Sequence, residues 1–226
     1  IRKLKRAKVT SVAVCYLHAY KHNSHEVLTK EILAAEMPEV YVCLSSEVLP
    51  QIKEYQRVST TVVNAYVGPL IRGYLEGLES RLTAVGFRGP LLVMLSHGGV
   101  APVREAVRIA AATVLSGPAG GLAAAKRVSQ ILEIPNLIPF DMGGTSSDIS
   151  LIVDGAVSLS AERQVNNEKI ALPSLDIVTL GAGGGSIGRV EGGGLLKVGP
   201  QSAGAKPGPA CYGFGGSAAT VTDASV

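Results

Sequence analysis

The eight residues Asp141-Met142-Gly143-Gly144-Thr145-Ser146-Ser147-Asp148 combine two carboxylates, a glycine pair and a run of hydroxyls. Apolar, strand-like segments flank them, Leu137 to Phe140 before and Ile149 to Val153 after. Glycines in such a turn let the backbone approach an anion without a Cβ clash. Successive N–H groups there form a concave anion nest, and Thr145 and Ser146 add hydroxyl donors. Asp141, at the end of its strand, can hold Mg²⁺ directly or through water, because Mg²⁺ takes oxygen ligands and keeps waters beside phosphates. Asp148 can orient the turn or join the outer shell of the metal. The chemistry implied is the gripping of a phosphate. A plain hairpin would need the Gly-Gly alone. No Lys follows the glycines, so the run is not a Walker A loop.

Two further runs can meet a ligand. Gly181-Ala182-Gly183-Gly184-Gly185-Ser186 follows an expected strand at Asp176 to Leu180, and can seat a nucleotide's sugar, base or phosphate or serve as a structural turn. It misses the dinucleotide fingerprint, since Ser186 stands in place of the third glycine. Ser116-Gly117-Pro118-Ala119-Gly120-Gly121 opens a helix, where small residues can bind an anion or allow close helix packing. His97, before Gly98-Gly99, reads as a hydrogen-bonded loop residue more readily than as an acid/base. His18, His22 and His25 read as solvated or capping rather than metal-binding. Cys211 lacks a local base and is not expected to be a nucleophile.

The elements that must position these residues alternate as in an α/β protein. Val9 to Tyr16 reads as a buried strand, Asn23 or Ser24 caps a helix to about Met37, and Val40 to Leu44 is a second strand, so the unit is parallel. Ser45 to Ile52 is a loop. Glu54 to Ala84 is mostly helical, with Pro69 starting a new helix or a kink. Leu70, Tyr74, Leu75, Leu78 and Leu82 mark its buried face. Strands follow at Leu91 to Leu95, Thr113 to Leu115, Leu137 to Phe140 and Asp148 to Val153. Asp154-Gly155 makes a hairpin into Ala156 to Ser160. Residues 181–216 hold 14 of the 27 glycines, which suggests backbone closely approaching a ligand or another backbone.

Composition narrows the class. The 226 residues are 46% hydrophobic and 17% charged, as in a globular core. Aromatics make up 4% and Trp is absent, which argues against a base-stacking platform for single-stranded nucleic acid. The net charge of +3 implies no nucleic-acid partner, and the basic cluster at Arg2, Lys3, Lys5, Arg6 and Lys8 reads as a solvated helix end. Three cysteines without a CxxC pair point to a reducing compartment, the cytoplasm. The most apolar stretch, Val107 to Ala125, is broken by Arg108 and Gly117-Pro118, so no membrane span is expected. A start at Ile1 and an end at Val226 without a closing element suggest a fragment.

The run Asp141 to Leu151 resembles the second phosphate loop of the actin, sugar-kinase and heat-shock-chaperone ATPase fold. More specifically, the chain resembles the hydantoinase A/5-oxoprolinase family of ATP-dependent amidohydrolases, which are related to acetone carboxylase. The blocks that carry the resemblance are Glu54 to Pro69, Leu115 to Gly121, Phe140 to Leu151, Leu180 to Ile187 and Val198 to Asp223. The resemblance implies an α/β, actin-like (ribonuclease H-like) lobe with mixed sheet, helices and a Gly-rich β segment. It makes residues 1–45 the end of an N-terminal domain, and residues 46–226 a central domain carrying the second phosphate loop. It implies ATP and Mg²⁺, a small cyclic-amide substrate, and two partners, the absent N-terminal domain and a B-type subunit or domain. The fragment is expected to be inactive alone. Asp141 would organise Mg²⁺ or a water. Gly143, Gly144 and Thr145 would grip terminal phosphates, with Ser146 beside them and Asp148 supporting the turn. Gly181, Gly183, Gly184 and Gly185 would adjoin the nucleotide. His97 stands where the family has Asn or Asp. A kinase or carboxylase of the same fold and a non-catalytic ATP-binding scaffold are the alternatives.

Overall fold

The computed structural model describes residues 1–165 and 168–226. Its elements run α1 (Arg2–Ala7), β1 (Ser11–Val14), α2 (Ser24–Glu36), β2 (Tyr41–Leu44), α3 (Ser45–Val48), α4 (Glu54–Ala84), β3 (Leu92–Met94), β4 (Val100–Pro102), α5 (Val103–Arg108) and α6 (Ser116–Leu132). Short strands follow: β5 (Phe140–Met142), β6 (Ser147–Ser150), β7 (Ile152–Val153), β8 (Ala156–Val157), β9 (Leu159–Ser160), β10 (Arg163–Val165), β11 (Glu168–Ile170), β12 (Ser174–Leu175) and β13 (Ile177–Leu180). A longer hairpin of β14 (Ser186–Glu191) and β15 (Leu195–Ser202) leads to the short helix α7 (Val221–Ala224). Two compact units result: Ile1–Gly120 with Leu159–Leu175, and Gly121–Ser158 with Asp176–Val226.

In the first unit β1 and β2 pair in parallel, Ser11 opposite Tyr41 through Val14 opposite Leu44, with α2 as the crossover. Val14, Leu33, Met37, Val40 and Leu44 form the core beneath them. Asn23 occupies the N-cap of α2 but makes no side-chain capping bond. The work at that end falls to Glu26, which is wholly buried. Its carboxylate accepts from Tyr16 N at 3.0 Å, Ser45 Oγ at 2.5 Å and Ser46 N at 2.9 Å, tying together the chain just beyond both parallel strands. The segment expected as a loop after Leu44 begins with α3, whose first residues make these bonds.

Helix α4 has 31 residues and runs through Pro69 without a break, a length of about 46 Å. Of its expected buried face, Leu75 is buried, whereas Leu70 and Tyr74 are exposed. The buried residues lie mainly in the first half of α4 and are largely polar, because the neighbouring segments present backbone groups that need partners. Ser59 Oγ donates to Lys169 O at 2.6 Å, and Thr60 Oγ1 accepts from Ala171 N at 2.9 Å. The Arg57 guanidinium donates to Tyr16 O and Gln51 O and lies over the Tyr20 ring. Asn64 donates to Tyr41 Oη and Arg108 O and accepts from Ala111 N at 2.9 Å. That last bond helps explain why the expected strand at Thr113 to Leu115 is absent. Ala110–Thr113 is instead a 3-10 turn, with small side chains that let it close on Asn64.

In the second unit β5, β6 and β13 form an antiparallel sheet in the order β13-β6-β5. The run expected as one strand from Asp148 to Val153 is split into β6 and β7, and β7 turns into β8 through Asp154 and Gly155, both at positive φ. Phe140, Ile149 and Val178 share one row across the sheet, and Asp141, Asp148 and Thr179 share the next. Adjacent rows point to opposite faces. One face is therefore apolar, and the other carries the two carboxylates. Buried serines do much of the fastening in this unit: Ser147 Oγ donates to Ala182 O at 2.6 Å, and Ser186 Oγ accepts from Gly183 N at 2.8 Å.

Candidate functional site

The β5–β6 turn is closed by one bond, Gly143 N to Ser146 O at 2.9 Å. The amides of Gly144 and Thr145 donate to no acceptor among the described residues. Two successive free donors in an exposed glycine turn are the features of an anion nest. Directly behind them Asp141 and Asp148 face each other across β5 and β6. Thr179 Oγ1 donates to Asp148 Oδ1 at 2.6 Å, which orients that carboxylate from the neighbouring strand. Like charges opposite one another on a sheet destabilise it, and a hydrated cation between or beside them offsets that cost. No group of three or more His, Cys, Asp or Glu able to hold a metal occurs among the described residues. The pair fits Mg²⁺, which binds through one or two carboxylates and fills its octahedron with water and phosphate oxygens. It does not fit a closed structural zinc site.

The second glycine run lies against the first. Gly184 N donates to Gly143 O at 2.9 Å and Gly185 N to Gly144 O at 2.7 Å. A Cβ on Gly183 would sit 2.6 Å from Gly143 O, 2.7 Å from Ser146 N and 2.8 Å from Thr145 N. The close approach is thus of backbone to backbone. With Gly183 N also paired, to Ser186 Oγ, all three amides are already used, and the run packs its backbone against the β5–β6 turn.

A cavity of about 630 Å³ opens over this pair of turns, lined by Met142, Gly143, Gly144, Thr145, Gly184 and Gly185 on one side. Gly204, Ala205, Pro209, Tyr212 and Thr222 complete it. Of the residues singled out in the sequence, Gly143, Gly144, Thr145, Gly184 and Gly185 line the cavity. Asp141 and Asp148 stand in the strands beneath it. Ser146, Gly181 and Gly183 do not line it, and act through the turn backbone or its packing. The end of the Ser116–Gly121 run is near: a Cβ on Gly121 would lie 3.6 Å from Asp141 Oδ2. His97 is held in the β3–β4 turn, its Nδ1 accepting from Gly99 N at 3.1 Å. His18, His22 and His25 belong to no group of three or more metal-ligating side chains among the described residues.

Sequence reasoning missed the far wall. Thr222 donates to Gly184 O through both N, at 2.8 Å, and Oγ1, at 2.9 Å. Asp223 closes a capping box with Thr220. The spacing Thr220-x-x-Asp223 is the signal that marks this helix start.

The hydantoinase/oxoprolinase family profile matches residues 57–226. The chain belongs to the hydantoinase/oxoprolinase family. It is 41% identical to the caprolactamase subunit alpha of Pseudomonas jessenii over 222 residues, which is 98% of this chain and 32% of that protein. It is also 41% identical to 5-oxoprolinase 1 of Arabidopsis thaliana, over 96% of this chain and 17% of that one. The crystal structure of the ATP-dependent caprolactamase superposes with a TM-score of 0.82 over 99% of this chain. Nucleotide-free acetone carboxylase, 29% identical, superposes with a TM-score of 0.78 over 98% of this chain and 32% of its own. The α/β, actin-like ATPase fold expected from the sequence is the fold of these hydantoinase/oxoprolinase neighbours. The chain spans about a third of the caprolactamase subunit. No helix among the described residues is long and apolar enough to cross a membrane.

Proposed function

We propose that this chain supplies the second phosphate-binding turn of an ATP-dependent cyclic-amide hydrolase. The observation that carries the reading is the pair of unspent amides, Gly144 N and Thr145 N, at a cavity mouth directly ahead of the facing carboxylates Asp141 and Asp148. In this reading the two amides and the Thr145 hydroxyl bind terminal phosphate oxygens of ATP. Asp141 and Asp148 hold Mg²⁺, which when bound supplies neutralisation of phosphate charge. Gly183, Gly184 and Gly185 hold the turn in shape. Catalysis then rests on positioning and electrostatics.

The reaction transfers the γ-phosphoryl group to the amide oxygen and releases ADP. Water adds to the activated carbon and the ring C–N bond breaks, which frees the amine and leaves an acyl phosphate. A second water then hydrolyses the acyl phosphate to carboxylate and phosphate. Residues 1–45 belong, in this reading, to the end of a preceding domain that holds the other phosphate loop, and a B-type subunit or domain carries the ring-opening metal site. The likeness to the caprolactamase and to 5-oxoprolinase supports the amide substrate class. The likeness to acetone carboxylase supports a second reading, phosphorylation of a ketone enolate for carboxylation. Phosphate release by the full-length protein and its partner separates the two. Release driven by a lactam, 5-oxoproline or a hydantoin is the expected result. Release driven only by a ketone with bicarbonate would replace the first reading with the second.

A further inference from the structure

We infer that Asp223 is a positioning residue of the cavity, fastening the Pro209–Tyr212 wall to the glycine turns and so setting the width of the nucleotide site. The inference rests on the nucleotide reading above. A capping box on a four-residue helix needs one carboxylate bond to the N-cap amide, and Asp223 makes that bond to Thr220 N at 2.8 Å. It also accepts from Thr220 Oγ1 at 2.8 Å and, far away in sequence, from Cys211 N at 2.8 Å and Ala210 N at 3.3 Å. The last two bonds do nothing for α7. They hold the 3-10 turn Ala210–Tyr212, which presents Tyr212 to the cavity directly after Pro209. On the other side of Asp223, its neighbour Thr222 is bonded twice to Gly184 O, and Gly184 N is bonded to Gly143 O. Hydrogen bonds therefore join the β5–β6 turn to Gly184 and Gly184 to Thr222, and through the adjoining Asp223 they reach the opposite wall. These bonds, led by that from the Cys211 amide and then the Thr220 hydroxyl, hold the Asp223 carboxyl well below the usual carboxylate range. The acceptor is thus charged whenever the protein is folded near neutrality.

The neighbouring thiol reports on the contact. Cys211 is exposed, and its hydrogen bond to the Asp223 carboxylate raises its pKa, so losing that carboxylate speeds its alkylation. The test measures Mg-ATP affinity by calorimetry and Cys211 alkylation by peptide mass spectrometry in the full-length protein, for wild type, Asp223→Asn and Thr220→Ala. Asp223→Asn is expected to speed alkylation and to weaken Mg-ATP by about tenfold or more, a loss of about 1.4 kcal/mol. Thr220→Ala removes part of the helix cap but leaves the loop bonds, and both readouts should stay within about threefold of wild type, under about 1 kcal/mol. Faster alkylation with unchanged affinity would show that the wall does not set the site, and would overturn the inference. Equal weakening by both variants would reduce Asp223 to a helix cap and overturn it as well. No binding by the wild type would overturn the nucleotide reading itself, a failure visible before any variant is compared. If Asp223→Asn does not fold, Asp223→Glu, which keeps the charge and moves it by one methylene, is read by Mg-ATP affinity alone: weakening by about tenfold is expected, and unchanged affinity would overturn the inference.

Discussion

Single residues in this protein are set by their partners more than by their type. Glu26 is buried, and burial alone would raise its pKa. The Ser45 hydroxyl, Ser46 and the Tyr16 amide outweigh that cost and hold it below its ordinary 4.5. Its contribution to stability is therefore complete above 4.5 and is lost as the pH falls through the lower folded value. Glu26→Gln turns an amide NH₂ toward backbone donors and should cost about 3 kcal/mol by urea unfolding at pH 7, with a flatter acid limb than wild type. An unchanged acid limb would show that Glu26 does not carry it. Cys43 makes the opposite case. Burial pushes its thiol up to about 11, so iodoacetamide at pH 8 should leave it unmodified while Cys211 is labelled. None of this was legible in the sequence. The partners of Glu26 and Cys43 come from segments 10 to 20 residues away or more.

At the scale of elements, glycines separate into two kinds that composition alone cannot distinguish. Gly73 lies exposed within α4, and a Cβ there would meet nothing within 4 Å. Gly73→Ala should stabilise the protein by about 0.5–1 kcal/mol, seen as a raised urea midpoint. Gly183 is pressed onto three backbone atoms of the β5–β6 turn. Gly183→Ala should destabilise by about 1–3 kcal/mol and weaken nucleotide binding, because it pushes on Thr145 N, one of the two amides proposed to hold phosphate. Wild-type affinity in that variant would detach the brace from the site. The glycine density of residues 181–216 was enough to predict close approach, but not what is approached. That depends on pairing a loop near residue 184 with one near residue 143. The β5–β6 hairpin was largely legible because its pattern is local. The Thr179–Asp148 bond was not, since it needs the register of β13 on β6.

At the scale of the whole molecule, the chain spans 32% of the length of the caprolactamase subunit it resembles. The sheet that carries Asp141 and Asp148 keeps Phe140, Met142, Val178 and Leu180 exposed on its other face. The family and fold were legible from ordered blocks along the chain, because each block encodes a local turn or helix start. The far wall of the cavity was not, although Thr220-x-x-Asp223 announced its helix. The proposed function requires that Asp141 and the Gly143–Thr145 turn hold the phosphates of a magnesium-bound nucleotide. Calorimetric titration of the full-length protein with Mg-ATP and Mg-ADP, for wild type beside Asp141→Asn, tests this most directly. The expected result is wild-type binding that weakens by about a hundredfold or more in the variant, roughly 2.7 kcal/mol. Equal affinity in the two proteins would contradict the metal and phosphate role assigned to this turn.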